Sequence, residues 1–151
     1  MYPPSPAAQC GPCRRFTPKL VRIYDELMAT AAVGSRREME VVLVSWDDVQ
    51  RDRQSYVDES GMRWLALPHE ARKLVHELTL RYDVTHIPTL VVLEVSEDGH
   101  EARVLSRDGR NDIEGLFARG GGREEEATIA PWLMRALSGS VGGEESPSAR
   151  A

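Results

Sequence analysis

The chain has 151 residues, of which 41% are hydrophobic and 28% are charged. This length corresponds to about one domain and is sufficient to bury a core. Its 19 Lys and Arg residues against 24 Asp and Glu residues give a formal charge of -5, so no basic field favours nucleic-acid binding. The longest apolar runs, such as Val41–Val44 and Leu90–Leu93, are far shorter than the roughly 20 residues of a membrane-spanning helix. We therefore expect no nucleic-acid and no membrane partner.

The chain contains two cysteines, and they stand close together as Cys10-Gly11-Pro12-Cys13. Two thiols are too few for the disulfide framework of a small secreted domain. The first nine residues have neither the positive start nor the apolar stretch of a secretory signal, so we expect a reducing, cytoplasmic compartment. Chemistry is therefore expected at the cysteine pair.

Metal binding and inert thiols are the alternative interpretations of this pair. A structural zinc site needs four ligands, and the sequence has no second paired motif. The histidines are scattered, at His69, His76, His86 and His100. We therefore expect no metal site and no cofactor.

The first half of the chain predicts two helices and one strand. Residues Pro12–Met28 carry apolar side chains at three- and four-residue steps, which is the spacing of one helix face. The β-branched run within Glu40–Trp46 is typical of a strand buried on both faces. Asp47 and Asp48 follow it and are expected to cap a helix that continues to about Glu59.

The second half predicts a helix and then a β-hairpin. An apolar stripe favours a helix from about Glu70 to Tyr82. Two strands, Leu90–Val95 and Ala102–Ser106, flank Asp98-Gly99, a dipeptide suited to the positive φ of a hairpin turn. Because this strand pair is antiparallel, the sheet is expected to be mixed.

The position of the cysteines at the start of a predicted helix indicates their chemistry. Free backbone N–H groups and the helix dipole at an N-terminus favour a thiolate, so Cys10 is the candidate nucleophile. Cys13 lies one turn further on, close enough to form a disulfide, and is the candidate resolving thiol. The expected cycle is attack on a disulfide, formation of a mixed disulfide, and resolution.

Several segments of the sequence together resemble one family. Pro18, five residues after Cys13, and Ile87-Pro88-Thr89 before a strand are features of thioredoxin-like proteins. The segments are, in order, Cys10-Gly-Pro-Cys-Arg-Arg-Phe-Thr-Pro, Val42-Leu-Val-Ser-Trp-Asp, Trp64-Leu-Ala-Leu-Pro, Ile87-Pro-Thr-Leu and Pro131-Trp132. In this order they resemble the tryparedoxin and nucleoredoxin branch of the thioredoxin superfamily, over about residues 7–132.

This resemblance implies an α/β fold, a thioredoxin-like three-layer sandwich with a mixed central sheet. The thioredoxin-like domain would occupy residues 10–137, after an irregular, proline-rich start at residues 1–9. Glycine- and glutamate-rich residues 118–127 predict a loop, and the polar residues 138–151 predict a disordered tail.

The resemblance also implies an activity and its partners. It implies a protein-disulfide reductase that passes electrons from a low-molecular-weight dithiol or a reductase to peroxidases and other disulfide proteins. The expected function is therefore a thiol-disulfide oxidoreductase in antioxidant defence and cell redox homeostasis. A thioredoxin-fold binding or regulatory module with reduced or lost turnover is the alternative, and a turnover measurement distinguishes the two.

The resemblance further implies a substrate surface around the cysteines. Pro88 is expected to be cis and to face them, and Ile87 is expected to offer its backbone to an extended substrate. Trp64 is expected to form a wall of the site or to belong to the core, and the spacing leaves both Arg107 and Arg110 open as the arginine of the site. The implied substrate-binding residues are Gly11, Pro12, Trp64, Ile87, Pro88, Arg107 and Arg110.

Three residues or pairs differ from this family. Gln9 stands where the family has a tryptophan before the first cysteine, and Gly11-Pro12 stands where the family usually has two prolines. Arg63 replaces a proline before Trp64. These differences concern partner recognition and redox potential, which therefore do not follow from the resemblance.

The start of the chain also differs from a thioredoxin-like fold. Such folds run a central strand into the cysteine motif, whereas Pro3, Pro4 and Pro6 exclude a strand there. Without it, the strands near Val41 and Leu90 would face each other across about 9.6 Å, twice the usual strand spacing. A true start upstream, or a divergent sheet completed by another segment or chain, would account for this. The chain alone is therefore expected to be marginally stable or to associate through its strand edges.

Overall fold

The computed structural model describes residues 10–30 and 39–118, and these residues form four helices and four strands. The predicted start at residues 1–9, the predicted tail at residues 138–151 and residues 119–137 of the predicted domain lie outside the described residues. Within the described ranges, no helix is both long and apolar enough to cross a membrane.

The first helix, α1, spans Gly11–Thr30 and confirms the helix predicted for Pro12–Met28. Its apolar stripe is buried at Phe16, Ile23 and Tyr24. A buried stripe on a helix fixes which side faces the core. The orientation of the two cysteines at the start of α1 is therefore set by the packing of the whole helix.

Two short strands and two helices form what we call the parallel half. They are β1 (Val42–Leu43), α2 (Gln50–Ser60), β2 (Leu65–Ala66) and α3 (Arg72–Arg81). Val42 pairs with Leu65, and Leu43 with Ala66, in parallel register. The helix predicted from Glu70 to Tyr82 is confirmed as α3.

The remaining elements, together with α1, form what we call the hairpin half. They are β3 (Val92–Val95), β4 (Ala102–Ser106) and α4 (Gly109–Ala118). β3 and β4 are antiparallel, and Gly99 in the connecting turn has a φ of +74°, so the predicted hairpin is confirmed. The described strands form two two-stranded sheets, one parallel and one antiparallel, so both kinds of pairing expected of a mixed fold are present.

The hydrophobic core lies between α1 and α4. Phe16, Ile23 and Ile113 form its buried cluster, and Ile113 is 1% exposed. Further apolar side chains pack around this cluster and are partly buried: Leu20, Leu27, Leu90, Leu116 and Phe117. The burial of apolar surface, worth about 25 cal/mol per Å², holds α1 and α4 together.

The start of α4 approaches β3 closely. The N–H of Gly109 donates to the carbonyl of Leu90 at 3.1 Å. A Cβ atom at Gly109 would lie 2.9 Å from Val92 Cγ2 and 3.0 Å from the Leu90 carbonyl oxygen. Glycine is therefore the residue that fits where α4 meets the hairpin.

The strand predicted for Glu40–Trp46 is wrong in length and in burial. Only Val42–Leu43 pairs, and Val42 is 48% exposed. Beyond the strand, Ser45 Oγ donates to the Asp47 carboxylate at 2.7 Å and accepts the N–H of Asp47 at 3.0 Å. This local polar turn competes with strand pairing and ends β1 early.

The predicted capping of α2 by Asp47 or Asp48 is also wrong. The helix begins at Gln50 after Val49, and no side chain caps it. Both carboxylates have other partners, since Asp47 accepts from Ser45 and Asp48 pairs with Arg72 at 3.1 Å.

Two elements were not predicted from the sequence, β2 and α4. β2 is only two residues long, which is too short for a recognisable alternation. For α4, the spacing of Ile113, Leu116 and Phe117 marks the buried face, and this signal was available in the sequence. The predicted loop at residues 118–127 overlaps the described structure only at Ala118, the last residue of α4.

Candidate active site

Cys10 is the residue that caps α1. Its carbonyl oxygen accepts the N–H of Arg14 at 3.0 Å, and its Sγ accepts the N–H of Cys13 at 3.2 Å. This is the geometry in which a Ser or Asp oxygen usually caps a helix, with a sulfur atom in its place. A backbone donor aimed at the sulfur favours negative charge on it.

The two cysteines differ in exposure. They are joined as a disulfide, with Cα atoms 5.2 Å apart. Cys13 is 5% exposed, whereas Cys10 is half-buried. Of the two sulfurs, that of Cys10 is therefore the more accessible to another molecule.

A loop far away in the sequence meets the cysteine pair. The carbonyl oxygen of Ile87 lies 3.9 Å from Cys10 Sγ, and because a disulfide sulfur carries no hydrogen, this is a contact and not a hydrogen bond. The Ile87–Pro88 bond is cis, as the resemblance implies. The hydroxyl of Thr89 donates to the carbonyl of His86 at 2.6 Å, which closes the loop on itself.

A surface depression of about 120 Å³ adjoins this loop. Its lining residues are His86, Pro88, Thr89, Leu90, Arg107, Asp108, Arg110 and Asn111. The bond between Gly109 and Leu90 forms the depression, because it holds the start of α4 against the segment that follows Pro88. The Pro88 loop and the start of α4 therefore build the depression.

Both candidate arginines line the depression. Arg107 donates from Nη1 to the carbonyl of Tyr82 at 2.7 Å, and Arg110 pairs with Glu114 at 3.2 Å. The guanidinium groups of Arg107 and Arg110 are thus held in place beside Pro88. The structure brings both of them to the same depression and does not choose between them.

The remaining predicted residues lie in different places. Gly11 and Pro12 form the first turn of α1 between the cysteines, where Pro12 is exposed. Trp64 packs edge-to-face on Tyr24, with ring centroids 5.4 Å apart. Because Tyr24 follows Cys10 by 14 residues, it lies about 21 Å along the helix from the disulfide. Trp64 is half-buried, and this contact places it away from the disulfide.

Several lining residues of the depression were not predicted from the sequence. They are Thr89, Asp108 and Asn111, together with His86, which is one of the four scattered histidines. These residues stand close in sequence to Pro88 or to the two arginines, and this closeness could have indicated that they belong to the site. Across residues 10–30 and 39–118, no group of three or more His, Cys, Asp or Glu side chains is arranged to hold a metal ion.

A cysteine pair that caps a helix and faces a cis-proline loop defines a dithiol site on an α/β fold. The family described as Thioredoxin-like matches residues 6–99 of the chain. The chain belongs to the thioredoxin-like family.

Relatives place the chain more closely within this family. It is 39% identical to the tryparedoxin of Trypanosoma brucei brucei over 111 residues, which cover 70% of this chain and 72% of that protein. It is 35% identical over 124 residues to a probable nucleoredoxin 3 of Oryza sativa, covering 71% of this chain and 24% of that protein. The chain therefore spans about a quarter of that nucleoredoxin.

Solved structures agree with these relatives. Tryparedoxin I of Leishmania major superposes with a TM-score of 0.60 at 30% identity, covering 79% of this chain and 76% of that chain. A tryparedoxin II complexed with glutathionylspermidine superposes with a TM-score of 0.58 at 32% identity, covering 79% and 75%. The predicted tryparedoxin and nucleoredoxin branch and the thioredoxin-like fold are confirmed, which places the chain among thioredoxin-like oxidoreductases.

Proposed function

We propose that this chain is a protein-disulfide reductase in which Cys10 is the nucleophile and Cys13 is the resolving thiol. The observation that carries the proposal is the asymmetry of the pair. Cys10 caps α1 and accepts the N–H of Cys13 at 3.2 Å, whereas Cys13 is 5% exposed. The more exposed of the two sulfurs is therefore the one whose thiolate the helix start favours.

The proposed cycle transfers two electrons. The thiolate of Cys10 attacks one sulfur of a substrate disulfide, the substrate S–S bond breaks, and the departing sulfur takes up a proton. The thiolate of Cys13 then attacks Cys10 Sγ in the mixed disulfide and releases the second substrate thiol. The substrate is reduced to two thiols, and the chain is oxidised to the Cys10–Cys13 disulfide.

The oxidised chain needs an external donor to return to the dithiol. We assign this role to a low-molecular-weight dithiol or a reductase, which becomes oxidised in turn. One structural neighbour was solved as a complex with glutathionylspermidine, which supports a small thiol-bearing donor. Peroxidases and other disulfide proteins are the proposed acceptors, in the reducing cytoplasm expected from the sequence.

The substrate would lie across the first turn of α1 and the Ile87–Pro88 loop. The backbone of Ile87 lies beside Cys10 Sγ, and Gly11 and Pro12 lie next to the same sulfur along the chain. Arg107 and Arg110 line the adjoining depression, so an acidic group of the substrate or donor is expected there. We propose no substrate contact for Trp64, because it packs on Tyr24.

Reduction of insulin disulfides with dithiothreitol as the donor tests this proposal. The wild-type chain is expected to accelerate the reaction, and Cys10→Ser is expected to abolish the acceleration. Cys13→Ser is expected to lose turnover and, when it is reduced and then freed of dithiothreitol before the substrate is added, to accumulate a mixed disulfide with the substrate, because the resolving thiol is absent.

A wild-type chain whose disulfide is reduced by dithiothreitol but which gives no acceleration with insulin or other protein disulfides would contradict the proposal. That result would favour the binding or regulatory module. Retention of activity by Cys10→Ser would contradict the assignment of the nucleophile.

A further inference from the structure

Arg15 lies beside the cysteine pair although it belongs to the second turn of α1. A Cβ atom placed on Gly11 would be 3.4 Å from Arg15 Nη1. The Arg15 side chain therefore turns back towards the helix start and occupies the space over Gly11. Because adjacent Cα atoms are about 3.8 Å apart, this guanidinium nitrogen lies within about 9 Å of the Cα atom of Cys10.

The charge of Arg15 is available for another molecule. The side chain is exposed, and no carboxylate among residues 10–30 and 39–118 pairs with it. Its neighbours differ in this respect, because Arg14 pairs with Glu59 at 3.4 Å and Arg22 pairs with Glu26 at 3.2 Å. Arg15 is thus a cation beside the cysteine pair that has no carboxylate partner in the described part of the chain.

The other charged groups of the site belong to a different part of the chain from α1. They are Arg107, Arg110, Asp108 and His86, around the depression beside Pro88. Arg107 and Arg110 already have protein partners, at Tyr82 and Glu114. Arg15 therefore adds a separate positive charge on the α1 side of the reacting sulfur, in a chain whose formal charge is -5.

We propose that Arg15 gives the site a preference for disulfides that carry a negative charge next to the scissile bond. This inference rests on the proposed function and names the substrate class of the same site. A cation within about one Debye length attracts an anionic substrate and repels a cationic one, and salt weakens both effects. Arg15 acts on substrate approach through its charge and takes no part in the bond exchange.

Two small disulfides of opposite charge test the proposal. The full chain is reduced, freed of reductant and mixed with either the dianionic 5,5′-dithiobis(2-nitrobenzoate) or the dicationic cystamine, and the second-order rate of oxidation is measured. Arg15→Gln is expected to slow the reaction with the anionic probe about two- to fivefold. The reaction with cystamine is expected to stay unchanged or to become slightly faster.

Three comparisons distinguish charge from structure. Arg15→Lys is expected to retain the wild-type preference, because it keeps the charge. Arg22→Gln, on the same helix and paired with Glu26, is expected to change neither rate. In about 0.5 M salt, the difference between wild type and Arg15→Gln is expected to shrink, since the Debye length falls well below the distance involved.

Equal slowing of both probes by Arg15→Gln, or no change with either probe, would overturn this inference alone. A wild-type chain that reacts with neither probe would overturn the proposed function and, with it, this inference. The two failures are therefore distinguishable by the wild-type rates.

Discussion

The hairpin half and the parallel half are held together by different interactions. The hairpin half has the apolar cluster of Phe16, Ile23 and Ile113 between α1 and α4. In the parallel half, the paired residues Val42 and Leu65 are 48% and 60% exposed. Apolar burial thus stabilises the hairpin half far more than it stabilises the β1–β2 pair of the parallel half.

Hydrogen bonds to buried or half-buried groups replace apolar contacts in the parallel half. Arg72 Nη1 donates to the carbonyl of Asp47 at 3.1 Å, and Arg53 Nη2 donates to the carbonyl of Leu67 at 2.6 Å. Trp46 Nε1 donates to the hydroxyl of Thr79 at 3.2 Å. Such bonds are strong when complete and costly when one partner is removed.

The candidate site depends mainly on the hairpin half. α1 carries both cysteines, and the depression lies between the Pro88 loop and α4. A hydrogen bond between the hydroxyls of Thr17 and Tyr56 is one of the contacts between the two halves. The chemistry is therefore placed on the part of the molecule with the most apolar support, and substitutions in each half should have different consequences.

The largest effect is expected from the core of the hairpin half. Ile113→Ala removes a side chain that is 1% exposed, and it should lower the free energy of unfolding by about 2–5 kcal/mol through lost burial and a cavity. Denaturant unfolding measures this loss. Leu80→Ala is the control, because Leu80 is 67% exposed and its loss should cost less than about 0.5 kcal/mol. Similar losses of unfolding free energy in the two variants would show that the α1–α4 contact is not the main source of stability.

A pair of glycines in α4 tests the close approach to β3. Gly109→Ala places a methyl group 2.9 Å from Val92 Cγ2 and should cost about 1–3 kcal/mol through overpacking. Gly115 has no atom within 4 Å of such a group, so Gly115→Ala should stabilise the helix by about 0.4–1 kcal/mol. If both substitutions changed the free energy of unfolding in the same direction, the close contact of Gly109 with β3 would be contradicted.

A substitution in the parallel half tests its polar support. Arg72→Ala removes the donor to the carbonyls of Ser45 and Asp47 and should cost about 1–2 kcal/mol. Lys73→Ala is the matched control in the same helix, because the Lys73 side chain is 92% exposed. The insulin reduction rate of Arg72→Ala should stay close to that of wild type below its unfolding midpoint. Loss of activity without loss of stability would contradict the division between the two halves.

The smallest effect is expected at the hairpin turn. The hydroxyl of Ser96 and the N–H of His100 both donate to Asp98 and hold the pKa of its carboxyl below the ordinary value. A lowered pKa in the folded state contributes stability above the unfolded pKa, and this contribution is lost as the pH falls through the folded pKa. Asp98→Asn should therefore be slightly less stable than wild type at pH 7, with the difference vanishing in acid below the lowered pKa of Asp98. A difference that persists in acid would assign the effect to the turn geometry instead.

The elements predicted from the sequence are those with a long pattern. The stripe of α1 and the alternation around Asp98-Gly99 extend over enough residues to determine a helix and a hairpin. β2 consists of Leu65 and Ala66, and its pairing with β1 depends on the surrounding tertiary structure. The early end of β1 depends on the turn between Ser45 and Asp47, which outweighs the β preference of the preceding residues.

As with the fold, the local features of the candidate site were predictable from the sequence and the others were not. The spacing of Cys10 and Cys13 and the Pro88 motif are local, so the sequence indicated the disulfide and the loop. The depression requires Gly109 to contact Leu90, and the position of Arg15 requires the space over Gly11. The contact of Gly109 with Leu90 joins distant parts of the chain and follows from no local pattern, whereas Arg15 lies four residues after Gly11 in α1, so its approach to Gly11 was available from the helical spacing.

The asymmetry between Cys10 and Cys13 is the feature on which the proposed function depends most. The reduced chain is treated with iodoacetamide over about pH 5 to 9, and the alkylation rate of each cysteine is measured by mass spectrometry. Both cysteines lie in the tryptic peptide that ends at Arg14, so fragment spectra assign the modified residue. Cys10 is expected to react faster and to remain reactive at lower pH than Cys13, because it caps α1 and is the more exposed sulfur. Equal rates at every pH, or faster alkylation of Cys13, would contradict the assignment of Cys10 as the nucleophile.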